Sequence, residues 1–337
     1  MAYLVLENGM AFEGKRMGAK KDVAGELVFT TGVVGYVEQL SDPANAGLLV
    51  MQTFPVIGNY GVAEEDTESA YAPAGYVVRS LCDTPSSFRS TGSLNDYLVK
   101  KGIPGICGVD TRHLTAVLRE EGTMRAMICD EIPAAFPKEE KVPIQPCEKA
   151  VYPALGEEKK QAVLWDFGVK CSLTHALNQR GWRVTAVPFD TKAEEIFAMN
   201  PDAVVLSGGP EKADISEEVL KEIKTLLGKI PLLAAGLGHP LVAKALGGSV
   251  KKMHIGHRGQ NQPVFCTLDG RTYTTSQNHG LSVDENSLKD KGEMVYKNLN
   301  DGGCEGMLYP SLGCLSVQFD PNEQVLALFE TLMGGDR

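Results

Sequence analysis

After residue 160, four short apolar segments alternate with longer amphipathic stretches such as Ser216 to Leu227: Ala162 to Trp165, Arg183 to Val187, Ala203 to Leu206 and Pro231 to Ala235. The short segments are turn-bounded and predict strands, and the stretches between them predict helices. Strand-helix alternation of this kind implies a parallel, doubly wound α/β sheet. Such sheets bind ligands outside the carboxyl ends of their strands. That places the turns Asp166-Phe-Gly-Val-Lys170 and Ser207-Gly-Gly-Pro210, and the turn after Ala235, on one rim facing one crevice.

The third of these turns, Ala235-Gly-Leu-Gly-His239, has the form of the elbow on which many enzymes carry a nucleophile. Its central residue is Gly236, which has no side chain. A nucleophile elbow strains its backbone by about 1 to 3 kcal/mol for a residue with a Cβ, and glycine enters the same region without that penalty. Pro240 fits the same picture, because the first turn of a helix tolerates proline.

A length of 337 residues fits two domains. From Glu131 to Lys160 the chain is rich in Pro, Lys and Glu, which predicts a linker and divides it into residues 1–135, a linker at 136–160, and residues 161–335. Before the linker, Tyr3 to Leu6, Leu27 to Thr30, Gly47 to Phe54 and Gly75 to Arg79 predict strands of a mixed α/β domain. Asp110 is placed to cap a helix in which Leu114, Val117 and Leu118 share a face, closed by Gly122.

Several function classes are excluded at this level. A net charge of -10 gives no basic stripe for a nucleic acid. No apolar run approaches the roughly 20 residues that span a bilayer, and the first residues lack a signal-peptide pattern, so a cytoplasmic protein is expected. The eight cysteines form no Cys-x-x-Cys pair, and no metal site is expected. His254 and His257, three apart with no third ligand visible, read as polar loop residues.

The motifs together resemble the class I glutamine amidotransferases, and the whole chain resembles the small subunit of carbamoyl-phosphate synthase. In the first domain the resemblance rests on Gly35-Tyr-Val-Glu-Gln-Leu-Ser-Asp-Pro43, Phe54-Pro-Val-Ile-Gly-Asn-Tyr-Gly61 and Gly108-Val-Asp-Thr-Arg-His-Leu-Thr115. In the second it rests on Asp166 to Lys170, Gly256-His-Arg-Gly-Gln-Asn-Gln-Pro263 and Ser276-Gln-Asn-His-Gly280. The resemblance implies a flavodoxin-like second domain and a thiol that attacks the side-chain amide of glutamine, with a histidine as base and a glutamate orienting it.

Those three positions are Gly236, Asp320 and Asn322 here, so the expected triad is degenerate and no catalytic residue is intact. The glutamine pocket, carried over position by position, falls on Ala44, Gly209, Glu211, Leu237, Pro240, Asn278, Gly280 and Leu281, the last three in a loop. Glu211 is expected to crowd the substrate and repel its carboxylate.

The resemblance further implies a large synthetase subunit as partner, in pyrimidine or arginine biosynthesis. ATP and Mg then belong to that subunit, with no cofactor in this chain and L-glutamine or another small metabolite as candidate ligand. Three readings follow: a non-hydrolysing partner of a large subunit, a free-standing metabolite-binding protein, and a glutaminase with relocated residues, for which Cys171 near a helix start is the candidate. His239 and His279 read as hydrogen-bonding residues beside the elbow and the pocket.

Overall fold

The computed structural model describes residues 1–138 and 141–334. Two compact units emerge, Met1–Val142 and Pro143–Arg337.

The first unit is built on a closed barrel. Its strands are β1 (Ala2–Leu6), β2 (Ala11–Gly18), β3 (Val23–Thr30), β4 (Leu48–Gln52), β6 (Gly75–Val78), β8 (Pro104–Cys107) and β9 (Met124–Cys129), while β5 (Val56–Ile57) and β7 (Ser80–Leu81) form a separate parallel pair. Around the barrel the order is β1-β2-β8-β6-β4-β3-β9, and β9 closes on β1. All four strands predicted in this half are present. β2 is absent from the prediction because its residues alternate between exposed and half-buried and carry no apolar run. Helices α1 (Tyr36–Leu40), α2 (Leu94–Lys100) and α3 (Thr111–Glu121) complete the unit. In α3 the Asp110 carboxylate accepts from the His113 amide at 3.1 Å, Leu114, Val117 and Leu118 are buried, and Gly122 ends the helix at φ +89°.

The second unit contains β10 (Ala150–Tyr152), β11 (Lys160–Asp166), α4 (Cys171–Gln179), β12 (Trp182–Pro188), α5 (Ala193–Ala198), β13 (Ala203–Leu206), α6 (Glu217–Leu226), β14 (Leu232–Ala235) and α7 (Gly238–Ala245). These are followed by β15 (Val250–Cys266), β16 (Arg271–Val283), β17 (Glu293–Asn298), β18 (Cys304–Tyr309), β19 (Cys314–Val317) and α8 (Glu323–Gly334). Five strands run parallel in the order β12-β11-β13-β14-β19, the flavodoxin arrangement. Successive residues of these strands feed opposite faces. Val163, Trp165, Val204, Leu206 and Leu232 pack with α6 and α7, while Leu164, Val205, Leu233 and Leu315 pack with α4 and α8. Burial on both faces is why the strands read as continuous apolar runs.

Two expectations need correction. Tyr152 and its two predecessors, inside the stretch read as a linker, pair antiparallel with β12 as an edge strand. His254, His257 and the segment 278–281 are not in loops but lie within the long antiparallel ladder of β15 and β16. Gly and Asn are depleted in strands, which hides these segments in the sequence, and two register shifts, between Lys252 and His257 and between Gly259 and Gln262, interrupt the ladder. No helix among the described residues is long and apolar enough to cross a membrane.

Candidate functional site: a remodelled elbow

β14 ends at Ala235, α7 starts at Gly238, and Gly236 between them has φ +51°, in the left-handed region. The elbow conformation is therefore present without its side chain. A Cβ placed on Gly236 would stand 3.2 Å from the Cα of Gly208, a contact that needs only a small shift. The Gly236 amide donates to the Val317 carbonyl at 3.0 Å on the neighbouring strand. Its carbonyl accepts from the His239 amide at 3.1 Å and from Gln318 Nε2 at 3.4 Å. Pro240, third in α7 and buried, has no amide to offer that carbonyl, and these two donors serve it instead.

Asp320 follows β19. Lys170, the N-cap of α4, places its Nζ 2.9 Å from each Asp320 carboxylate oxygen. The Asp320 amide donates to the Ser276 carbonyl at 3.1 Å. Asn322 has become a helix cap: its Oδ1 accepts from the Val325 amide at 3.1 Å and its carbonyl from the Leu326 amide at 3.1 Å, opening α8. Asparagine is among the best N-cap residues, which accounts for its presence here in terms of helix stability. Gly236, Asp320 and Asn322 all line one cavity of about 400 Å³.

The positions carried over for a glutamine pocket line up elsewhere. The Glu211 carboxylate accepts from the Gly280 amide at 2.7 and 2.9 Å and lies 3.3 Å from Arg258 Nη2. Arg258 Nη1 in turn donates to Asn278 Oδ1 at 2.5 Å. Glu211 is thus not the bare repelling charge expected from the sequence. It is an ion-paired carboxylate, and the charge and the backbone donor beside it are already used. The sequence reading overlooked Arg258, although a glutamate introduced into a buried turn calls for a cation.

Gly209 is required by packing, since a Cβ there would sit 2.4 Å from the Phe167 carbonyl oxygen. Leu237 is buried at the start of α7, and the Leu281 carbonyl accepts from His279 Nδ1 at 2.9 Å. Ala44 belongs to the first unit, where its amide donates to the Asp42 carboxylate at 2.9 Å in a short helical turn. Cys171 is exposed as the first residue of α4 and is not part of the cavity wall. Cys304 and Cys314 are buried, and burial pushes the Cys304 thiol up to about 12.

His254 and His257 are strand residues rather than loop residues. His254 is exposed, whereas His257 is buried between two carboxylates, Nδ1 at 2.7 Å from Glu305 and Nε2 at 3.0 Å from Asp301. His279 Nε2 lies 3.2 Å from the other Glu305 oxygen. Burial pushes Glu305 up, but the His279 charge and the hydrogen bonds from both imidazoles outweigh it and hold the carboxyl at about 2. Burial pushes His257 down, and its contacts with Glu305 and Asp301 outweigh that and raise it. Ligand atoms of His257, His279 and Glu305 lie within 4.8 Å of one another, a donor set that a metal could use. The carboxylate already lies against both imidazoles, so the trio also stands as an internally paired network. It sits on three strands, and no sequence spacing could have announced it. Nearby His239 is fully buried, donates or accepts at Ser316 Oγ at 2.8 Å, and is pushed by burial down to about 3, so its ring is neutral.

Comparison with known proteins decides what this scaffold belongs to. Residues 4–128 match the model of the carbamoyl-phosphate synthase small chain, CPSase domain, and residues 163–327 match that of the class-I glutamine amidotransferases. The carbamoyl phosphate synthase small chain of Clostridium perfringens (strain 13 / Type A) is 42% identical over 331 residues, covering 95% of this chain and 93% of the relative. The chain belongs to the carbamoyl phosphate synthase small-chain family. The small chains of Staphylococcus haemolyticus (strain JCSC1435), 42% identical, and Bacillus caldolyticus, 40% identical, cover 95% and 94% of it and are themselves 90% covered. The cavity beside Gly236 is lined by the three positions at which the resemblance expects a thiol, an imidazole and a glutamate, and these are Gly236, Asp320 and Asn322.

Proposed function

We propose that this small chain does not hydrolyse glutamine and acts as a structural or allosteric partner of a carbamoyl phosphate synthase large subunit, in pyrimidine or arginine biosynthesis in the cytoplasm. The observation that carries the reading is that each triad position has other work. Gly236 has relieved the elbow strain, Asp320 is ion-paired to Lys170, and Asn322 caps α8. A nucleophile without a base, or a base without a nucleophile, leaves acyl transfer unsupported; here position 236 offers no nucleophile and the carboxylate at 320 is committed to Lys170. Glu211 supports the same reading from the other side, because its carboxylate takes the Gly280 amide that an incoming ligand would need.

The complex then draws its nitrogen from free ammonia, and ATP and Mg act on the large subunit. The test is ammonia release from L-glutamine by the purified chain, alone and with a large subunit, alongside a Cys171→Ala variant. No release in any arm is expected. Release abolished by Cys171→Ala establishes a relocated nucleophile and overturns the proposal, as does release that survives that change.

A further inference from the structure

The cavity beside Gly236 has an amphipathic wall that the loss of the triad does not explain. It holds about 400 Å³, within the roughly 300 to 1,000 Å³ typical of small-molecule sites, and lies at the carboxyl ends of the parallel strands. None of the glutamine-pocket positions 209, 211, 237, 240, 278, 280 and 281 lines it. Its lining combines apolar Leu173, Ala176, Pro321 and Leu326 with the hydroxyl residues Ser172, Thr274, Thr275 and Ser276. The charged residues of the wall are Lys170, Asp320 and Glu323; Lys170 and Asp320 lie 2.9 Å apart, with Asp320 about half exposed and Lys170 one-fifth exposed, and Glu323 is held by Arg180 at 2.5 Å.

We propose that this cavity binds a small zwitterionic α-amino acid with an apolar side chain, its carboxylate on Lys170, its ammonium on Asp320 and its side chain against Leu173, Ala176 and Leu326. The charge pattern selects the class. A ligand with one charge meets only one member of the Lys170–Asp320 pair, whereas a zwitterion meets both and replaces one internal pair with two. The apolar wall selects the side chain, and the missing side chain at Gly236 keeps the space open. The proposal rests on the non-hydrolysing reading only through that empty space. Ammonia release tests that reading, and binding tests this one, so the two fail separately.

The test is calorimetric titration of the full chain with L-leucine, L-valine and L-glutamine, and with isovalerate and isobutylamine as analogues bearing one charge. Saturable binding of the apolar amino acids is expected, with neither analogue binding comparably. Lys170→Met and Asp320→Asn should each weaken it roughly tenfold or more, the loss of one charge-assisted contact. Ala176→Phe, which fills the cavity and keeps both charges, should abolish it in a protein that still melts cooperatively. Absence of saturable binding by any apolar amino acid, binding unchanged in these variants, or tighter binding of L-glutamine would each overturn the proposal.

Discussion

Lys170 Nζ lies 2.9 Å from both carboxylate oxygens of Asp320, tying the N-cap of α4 to the turn after β19 beside the elbow at Gly236. Where the family resemblance calls for a histidine base, this chain has half of an ion pair.

That pair sets the expected behaviour of Gly236→Cys. A lone Asp320 would raise a thiol introduced there, but with Lys170 against it the neighbouring field is that of a pair. The single variant is expected to stay inactive because no imidazole lines the site and its carboxylates, Asp320 and Glu323, are held by Lys170 and Arg180, not because its thiol is suppressed. It should also lose about 1 to 3 kcal/mol of stability, since φ at 236 suits glycine. Denaturant unfolding and ammonia release check both, and measurable turnover by the single variant contradicts this picture of the site.

Removing the Glu211 carboxylate leaves the Arg258 guanidinium, 5% exposed, without its charge partner. Glu211→Ala is expected to destabilise the fold by about 3 kcal/mol, as breaking a buried pair does. Added formate or acetate should restore part of that loss by occupying the Gly280 amide and Arg258, while leaving the parent chain unchanged. Thermal melts with and without formate read this directly, and an equal response in both proteins counts against it.

Asn322→Ala should cost about 1 kcal/mol, the ordinary value of an N-cap, and Asn322→Asp should cost far less. Equal losses in the two variants would show that Oδ1 is not serving as a cap.

The buried cluster predicts the pH profile of stability. Glu305 is held at about 2 in the fold against an ordinary 4.5, so its contribution is complete above 4.5 and disappears as pH falls toward 2. His239 is held at about 3 against 6.5, so the unfolded chain gains a proton below 6.5 that the fold refuses, and stability falls in the same direction. His257 is raised, so its contribution is full below 6.5 and is lost as pH rises through its folded value. Denaturant midpoints should therefore decline on acidification, and His239→Asn should flatten the decline. A parent profile that is level through the acid range would contradict the cluster's assignment.

How much of this was legible beforehand follows from what each residue does locally. β11, β13 and β14 announce themselves because both their faces are buried, and α3 because Asp110 and Gly122 mark its ends. The ladder of β15 and β16 is hidden because its strands are rich in Gly, Asn and Gln and broken by register shifts. The empty elbow could be read from one letter, Gly236. The partners that settle its neighbours could not: Lys170 lies 150 positions from Asp320, and Arg258 lies 47 from Glu211. Asn322 looks like a loss beside the family pattern and proves to be a helix cap only when Val325 is seen to donate to it.

The most direct measurement supplies the small chain and a large subunit with glutamine carrying an isotopic label on its amide nitrogen, together with unlabelled ammonium, bicarbonate and ATP. The account predicts carbamoyl phosphate made entirely from the unlabelled ammonium. Labelled nitrogen in the product, lost when this chain is omitted, would contradict it.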